Sequence, residues 1–196
     1  MPTPARGGPA VVTLVLLAGL AACTSDGAEE GADAPADEAV EAPAVPTEVV
    51  VGEVVGEPPR AQRTAAAQEV AAVVDGWLDA AYVEASLPLA AQDVDAGTFP
   101  GFTPGAARRA ADDAPATTAA GLPEGTTAVE VLQRRVAVDL LGPRRGRPEA
   151  ATARVLLRLR PSVDGEALRP VARSGRLLLT RGPQGWRVFG YDLRKG

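Results

Sequence analysis

Apolar and polar positions change period several times along the chain, and each change marks an element. Ala10 to Ala22 is a 13-residue apolar run with Thr13 as its one polar residue. It is followed by an acidic, Ala- and Pro-rich stretch that has no period at all. Between Ala61 and Glu84, Val70, Val73, Val74, Trp77, Leu78 and Ala81 recur at three- and four-residue spacing, while Gln68, Glu69, Asp75 and Asp79 fall mostly off that stripe. This predicts one amphipathic helix, supported by Ala65–Ala67 and ended by Pro88. Gly76 weakens the helix and would suit a close approach of another element.

Residues 95–125 are broken by Gly and Pro, with room for a short helix near Pro104–Asp113. Thr103 is placed to cap it and Pro104 to occupy its first turn. Phe99 and Phe102 are placed to pin it to the core. From Thr127 the period becomes two. Thr127–Leu141 reads as a long strand in which Val129 and Val131 have one parity and Val136, Val138 and Leu140 the other. A bulge near Arg134-Arg135 would put both sets on one face. Ala151–Pro161 alternates, with Ala153, Val155, Leu157 and Leu159 on one side and Thr152, Arg154, Arg158 and Arg160 on the other. Val163–Arg169 reads as a loop and Pro170–Arg181 as a strand. Gly182-Pro183-Gln184-Gly185 turns it into a last strand, Trp186–Leu193.

The 13-residue apolar run is shorter than the roughly 20 residues of a membrane-spanning helix. Preceded by Arg6 and ending in Leu20-Ala21-Ala22-Cys23, it reads as an export signal over residues 1–22. The tetrapeptide resembles the lipobox of bacterial lipoproteins. That resemblance implies cleavage between Ala22 and Cys23, a diacylglyceryl thioether on Cys23, and an additional acyl chain such as palmitate. Two chains anchor a protein stably where one does not. The expected location is the extracytoplasmic face of the cell membrane. The alternative is an ordinary secretory signal with an incidental cysteine.

Residues 24–58 hold ten acids and no base. Such a stretch buries too little apolar surface to offset chain entropy, so residues 23–59 are expected to be a disordered, extended tether. Within it, Val49-Val50-Val51-Gly52-Glu53-Val54-Val55 has high β propensity, and reads equally well as a strand or as an apolar patch in a linker. Residues 60–196 then form the domain. From Glu130 onward there are fifteen bases and six acids, so the whole-chain charge of −5 hides an acidic stretch in front of a basic sheet.

Composition removes several chemistries. With no His and one Cys, the chain has no intrachain disulfide, no Cys/His metal site and no imidazole-dependent triad. No cofactor is implied. The absence of Ile and Asn and the single Lys point to a GC-rich, actinobacterial-type genome. Arg then fills positions that Lys usually fills, which weakens any function read from Arg alone.

Helices followed by three to four antiparallel strands make an α+β fold, with N-terminal helices packed on a curved sheet. Trp77-Leu78-Asp79-Ala80-Ala81-Tyr82, Gly101-Phe102-Thr103-Pro104-Gly105-Ala106 and Gly185-Trp186-Arg187-Val188-Phe189-Gly190-Tyr191-Asp192 resemble segments of the NTF2-like, cone-shaped superfamily, including exported actinobacterial proteins linked to Mce-type lipid transport. The resemblance covers about residues 62–194. It implies a long helix in the concavity of a bent sheet, with Trp77, Tyr82, Phe99 and Phe102 around a cavity that is either an open pocket or is filled by Trp77, Phe99, Phe102 and leucine side chains.

Some members of that superfamily are isomerases and hydrolases that use Asp and Tyr, which makes Asp79, Tyr82, Tyr191 and Asp192 candidates for His-independent catalysis. The blander assignment puts Tyr82 in the core and Asp79 in solvent or in an ion pair, with no catalytic residue. Arg154, Arg158, Arg160 and Arg187 form a basic face. It would meet anionic lipid head groups or an acidic envelope protein, be masked by the acidic tether, or simply be solvated. Nucleic acid is excluded as a partner by export and by the lack of any accompanying motif. The leading expectation is a lipid-anchored, non-enzymatic interaction module of an envelope assembly; the alternative is a binding protein or enzyme for a small apolar molecule.

Overall fold

A computed structural model describes residues 45–144 and 146–195. The residues expected to form the signal and most of the tether, Ala22 and Cys23 among them, lie outside the described residues. The chain runs β1 (Thr47–Val55), α1 (Arg60–Leu78), a π-helical turn (Asp79–Val83), α2 (Pro104–Asp112), α3 (Ala114–Thr117), β2 (Ala128–Leu141), β3 (Ala150–Val163), β4 (Glu166–Ala167), β5 (Val171–Gly182) and β6 (Gly185–Lys195). The fold is α+β, with helices on one face of a six-stranded mixed sheet ordered β1-β2-β3-β5-β6, β4 pairing with β3.

Of the two readings of the valine run, the structure has the strand: β1 (Thr47–Val55) falls inside the segment that was expected to be tether as far as residue 59. The sheet has six strands rather than three or four. It is also not wholly antiparallel, because β1 pairs parallel to β2 with Val49 opposite Val136 and Val51 opposite Val138. The helical region between β1 and β2 is the long crossover that a parallel pair requires. The β-branched valines suit a half-buried pleated surface, and Val49 and Val54 pack on the core. A register shift between Val51 and Val54 frees a backbone amide, and Glu53 N–H donates it to Asp139 Oδ1 at 2.9 Å.

Helix α1 buries Ala66, Ala67, Val70, Ala71, Val74, Trp77 and Leu78, the face set by the apolar spacing. Its last turn widens to π geometry, placing Ala81 and Tyr82 inside. Gly76 serves no close approach, since a methyl group there would come no nearer than 4.0 Å to Pro100 Cγ. Glu69 ties α1 to the last hairpin, accepting from Trp186 Nε1 at 3.0 Å and pairing with Arg181 at 3.0 Å. Helix α2 starts as its sequence requires, with Pro104 in the first turn and Thr103 Oγ1 accepting from Ala106 N–H. Just before it, Thr103 N–H donates to Val188 O and Val188 N–H to Gly101 O, so residues 101–103 cover the edge of β6.

The bulge that unites the apolar residues of β2 lies between Val131 and Gln133, slightly before the expected Arg134-Arg135. Its position turns Arg134 inward, in register with Leu157. A third register shift leaves Phe189 as the extra residue of β6 between Val188 and Gly190. The expected 163–169 loop contains a tight hairpin. Asp164 (φ 50°) and Gly165 (φ 84°) form a two-residue turn that pairs Val163 with Glu166.

Candidate functional site

Of the two arrangements open to Trp77, Tyr82, Phe99 and Phe102, the structure has the filled one. Trp77 meets Tyr82 edge-on at 6.1 Å between ring centroids and Phe102 at 6.0 Å, and Phe102 meets Phe99 at 5.5 Å. All four are buried. Trp77 Nε1 donates to Thr117 O at 3.1 Å, which satisfies its one polar atom. Such tilted contacts between large rings form a packed core and leave no room for a ligand at its centre.

Beside this cluster the inward face of the sheet carries a polar row. Arg134 of β2 and Arg173 of β5 flank Leu157 of β3 in the same cross-strand register. Arg134 Nη2 lies 2.6 Å from Asp79 Oδ1, the arginine 10% and the aspartate 38% exposed. Arg173, 6% exposed, has no carboxylate partner among the described residues. Its Nη2 donates to Gly121 O at 2.7 Å and its Nη1 to Ala172 O at 3.0 Å, while Nε has no partner. The Tyr82 hydroxyl is buried without a hydrogen-bond partner. Burial pushes its phenol up to about 12, against the opposing pull of the Arg173 charge.

The catalytic candidates do not converge. Asp79 is engaged by Arg134. The Tyr191 hydroxyl donates to Arg109 O at 3.0 Å, its pKa raised chiefly by partial burial. Asp192 is exposed, and hydrogen bonding from Arg176 holds its carboxyl below the usual range. A general base needs the opposite shift. Tyr191 and Asp192 also project from opposite faces of β6.

The expected basic face is largely neutralised within the sheet. Arg154 pairs with Asp139 at 2.9 Å and Arg160 with Glu130 at 2.8 Å. Arg135 with Glu48, and Arg176 and Arg194 with Asp192, extend the pattern. Arg187 stands apart from this lattice at the sheet edge, where its Nη2 donates to Phe102 O at 2.7 Å. Arg158 is exposed and sits opposite Gln133 and Ala172. Four arginines counted as one patch thus have three different occupations.

The same outer face has an apolar groove of about 280 Å³ where Val55, Leu141, Leu178 and Phe189 stand exposed together. Neither this groove nor the inward Arg134–Arg173 row was anticipated. Arg173 could have been found, because it shares the inward parity of Leu177 and Leu179. The groove could not, because its four residues come from four strands and the bulge at Phe189 decides one of them.

Comparison with known proteins finds no matching family model, no similar curated protein and no similar solved structure.

Proposed function

We propose that this protein is a lipid-anchored lipoprotein of the cell envelope whose domain, an NTF2-like cone, is a non-enzymatic protein-interaction module. The observation that carries the reading is the contrast between the two faces of the sheet. The helix-covered side is packed with Trp77, Tyr82, Phe99 and Phe102, and the catalytic candidates do not converge there. The outer side keeps Val55, Leu141, Leu178 and Phe189 together in the open, where isolated exposed apolar residues would need no explanation but a cluster does. The groove's exposed lining is mainly apolar with a few polar groups (Glu53, Asp139, Thr152), which suits a protein partner with a small hydrophobic anchor. A thioether-linked anchor on Cys23 would hold the module at the membrane, and the acidic segment after it would act as spacer.

The test has two arms. Labelling with a clickable palmitate analogue should mark the protein, and Cys23→Ser should release it from the membrane fraction. Native mass spectrometry of the membrane-extracted protein should show a complex that Leu141→Ser and Phe189→Ser dissolve without loss of folding. A protein that stays unlabelled and membrane-bound after Cys23→Ser refutes the anchoring. A free monomer, or a complex indifferent to both groove variants, refutes the interaction module.

A further inference from the structure

Arginine is charged at every accessible pH, and buried arginines are nearly always matched by an acid. Arg173 breaks that rule. It is almost wholly buried, it faces the core from β5, the strand next to the edge of the sheet, and its well-formed hydrogen bonds go to two backbone carbonyls. Arg134, two strands away in the same row, shows the ordinary solution by meeting Asp79. A buried cation without an anion is costly, and a chain under no other constraint would place a hydrocarbon there.

The unused valences of Arg173 have a definite arrangement. Nε is unpartnered, and the adjacent Nη2 is held only by the Gly121 carbonyl. Nε and Nη2 together form the side-on edge of the guanidinium, which accepts the two oxygens of a carboxylate or phosphate in parallel hydrogen bonds. The Tyr82 hydroxyl, also buried, faces the same guanidinium without a well-formed hydrogen bond to it, and adds a third donor.

Gly121 ends a short 3-10 turn, Ala119–Gly121, rather than belonging to a long helix or strand. Its neighbours Ala120 and Leu122 line a cleft of about 360 Å³, together with Ala119, Leu87, Leu89 and Thr126. One peptide unit therefore separates an apolar cleft from an uncompensated guanidinium.

We propose that Arg173, with Tyr82, is the receptor for the anionic head of an amphiphile, a carboxylate or phosphate whose apolar chain lies in the cleft between residues 87–91 and 119–126. On binding, the head takes the place of the Gly121 carbonyl on Nη2 and fills Nε. The 119–121 turn swings aside to admit it. No bond is made or broken. The site is independent of the anchoring at Cys23 and of the groove on the outer face, and a failure there leaves it standing.

The experiment is titration calorimetry of the full chain in neutral nanodiscs with octanoate, octyl phosphate and 1-octanol, with empty nanodiscs as the blank. At least one anion should bind about ten-fold or more tightly than 1-octanol, the contrast expected of charge-assisted hydrogen bonds. The stronger of octanoate and octyl phosphate identifies the head group. Arg173→Met should abolish that preference, and Tyr82→Phe should weaken it. The melting temperature of unliganded Arg173→Met separates the roles, since a receptor residue carries a buried charge whose removal maintains or raises stability, whereas a purely structural arginine lowers it. Should Arg173→Met not fold, Arg173→Lys, which keeps the charge and loses the fork, should bind the anion about ten-fold more weakly. Equal binding of anions and 1-octanol by the natural chain overturns the proposal, as does an anion preference that survives Arg173→Met or Arg173→Lys.

Discussion

Arg134 reaches across from the inward face of β2 to Asp79, so that the π turn at the end of α1 is bound to the sheet by a charge pair at 2.6 Å. The arginine is the more buried of the two, and its Nε has no other partner. Asp79→Asn should therefore destabilise the domain more than a surface pair would, by about 1–3 kcal/mol, because it leaves a shielded cation behind. Asp79→Asn/Arg134→Met should recover much of the loss. Denaturant unfolding of both single variants and the double variant checks the coupling.

Gly76 and Gly175 make opposite predictions. Gly76 is in helical conformation with free space around its α-carbon, so Gly76→Ala should stabilise by about 0.5–1 kcal/mol. Gly175 has φ +155°, and a side chain there would strike the Asp192 carbonyl across the β5–β6 ladder. Gly175→Ala should destabilise by more than Gly76→Ala stabilises. Thermal melts of the two variants decide both signs.

Tyr82 predicts an alkaline weakness. Its folded-state pKa of about 12 exceeds the ordinary 10.0, so the folded protein holds the phenolic proton more tightly than the unfolded chain. The resulting stability is fully present below pH 10 and falls as pH rises from 10 towards 12, by about 2–3 kcal/mol in all. Unfolding curves at stepped pH should show this slope, and Tyr82→Phe should remove Tyr82's share of it. Phenolate absorbance of the folded protein should appear late for the same reason.

The domain boundary is open to a deletion test. A chain lacking residues 24–44 should melt at the temperature of the full chain, since nothing in β1 is lost. Extending the deletion through Val55 removes a strand, exposes the β2 edge and uncovers Val136 and Val138. That variant should melt lower and aggregate on heating.

Where local rules decided structure, the fold was legible. Thr103-Pro104 opens a helix because a hydroxyl and a fixed φ suit its first turn, and Gly182-Pro183-Gln184-Gly185 closes a hairpin because its flanking strands alternate cleanly. The Asp164-Gly165 turn carried an equally local signal, but only Glu166 and Ala167 follow it as strand, too few to show a period. β1 was ambiguous for a different reason. Its valines state a preference for extended backbone, while the decision to join the sheet belongs to β2, more than seventy residues later. The bulge in β2 was required by parity, yet parity does not say which residue is extra, and that choice turned Arg134 into the core. The candidate site was least legible because it depends on those choices. Tyr82 and Asp79 stood out as residue types, but their partners Arg173 and Arg134 are set by strand register, which no single segment encodes.

Because β1 is both the first strand and an outermost one, any tension transmitted along the preceding chain is delivered to its junction with β2. A pull directed along the strand loads the whole ladder from Thr47 to Val55 at once rather than opening it rung by rung. The valine run would then behave as a mechanical clamp, leaving the aromatic centre unstressed until that ladder yields.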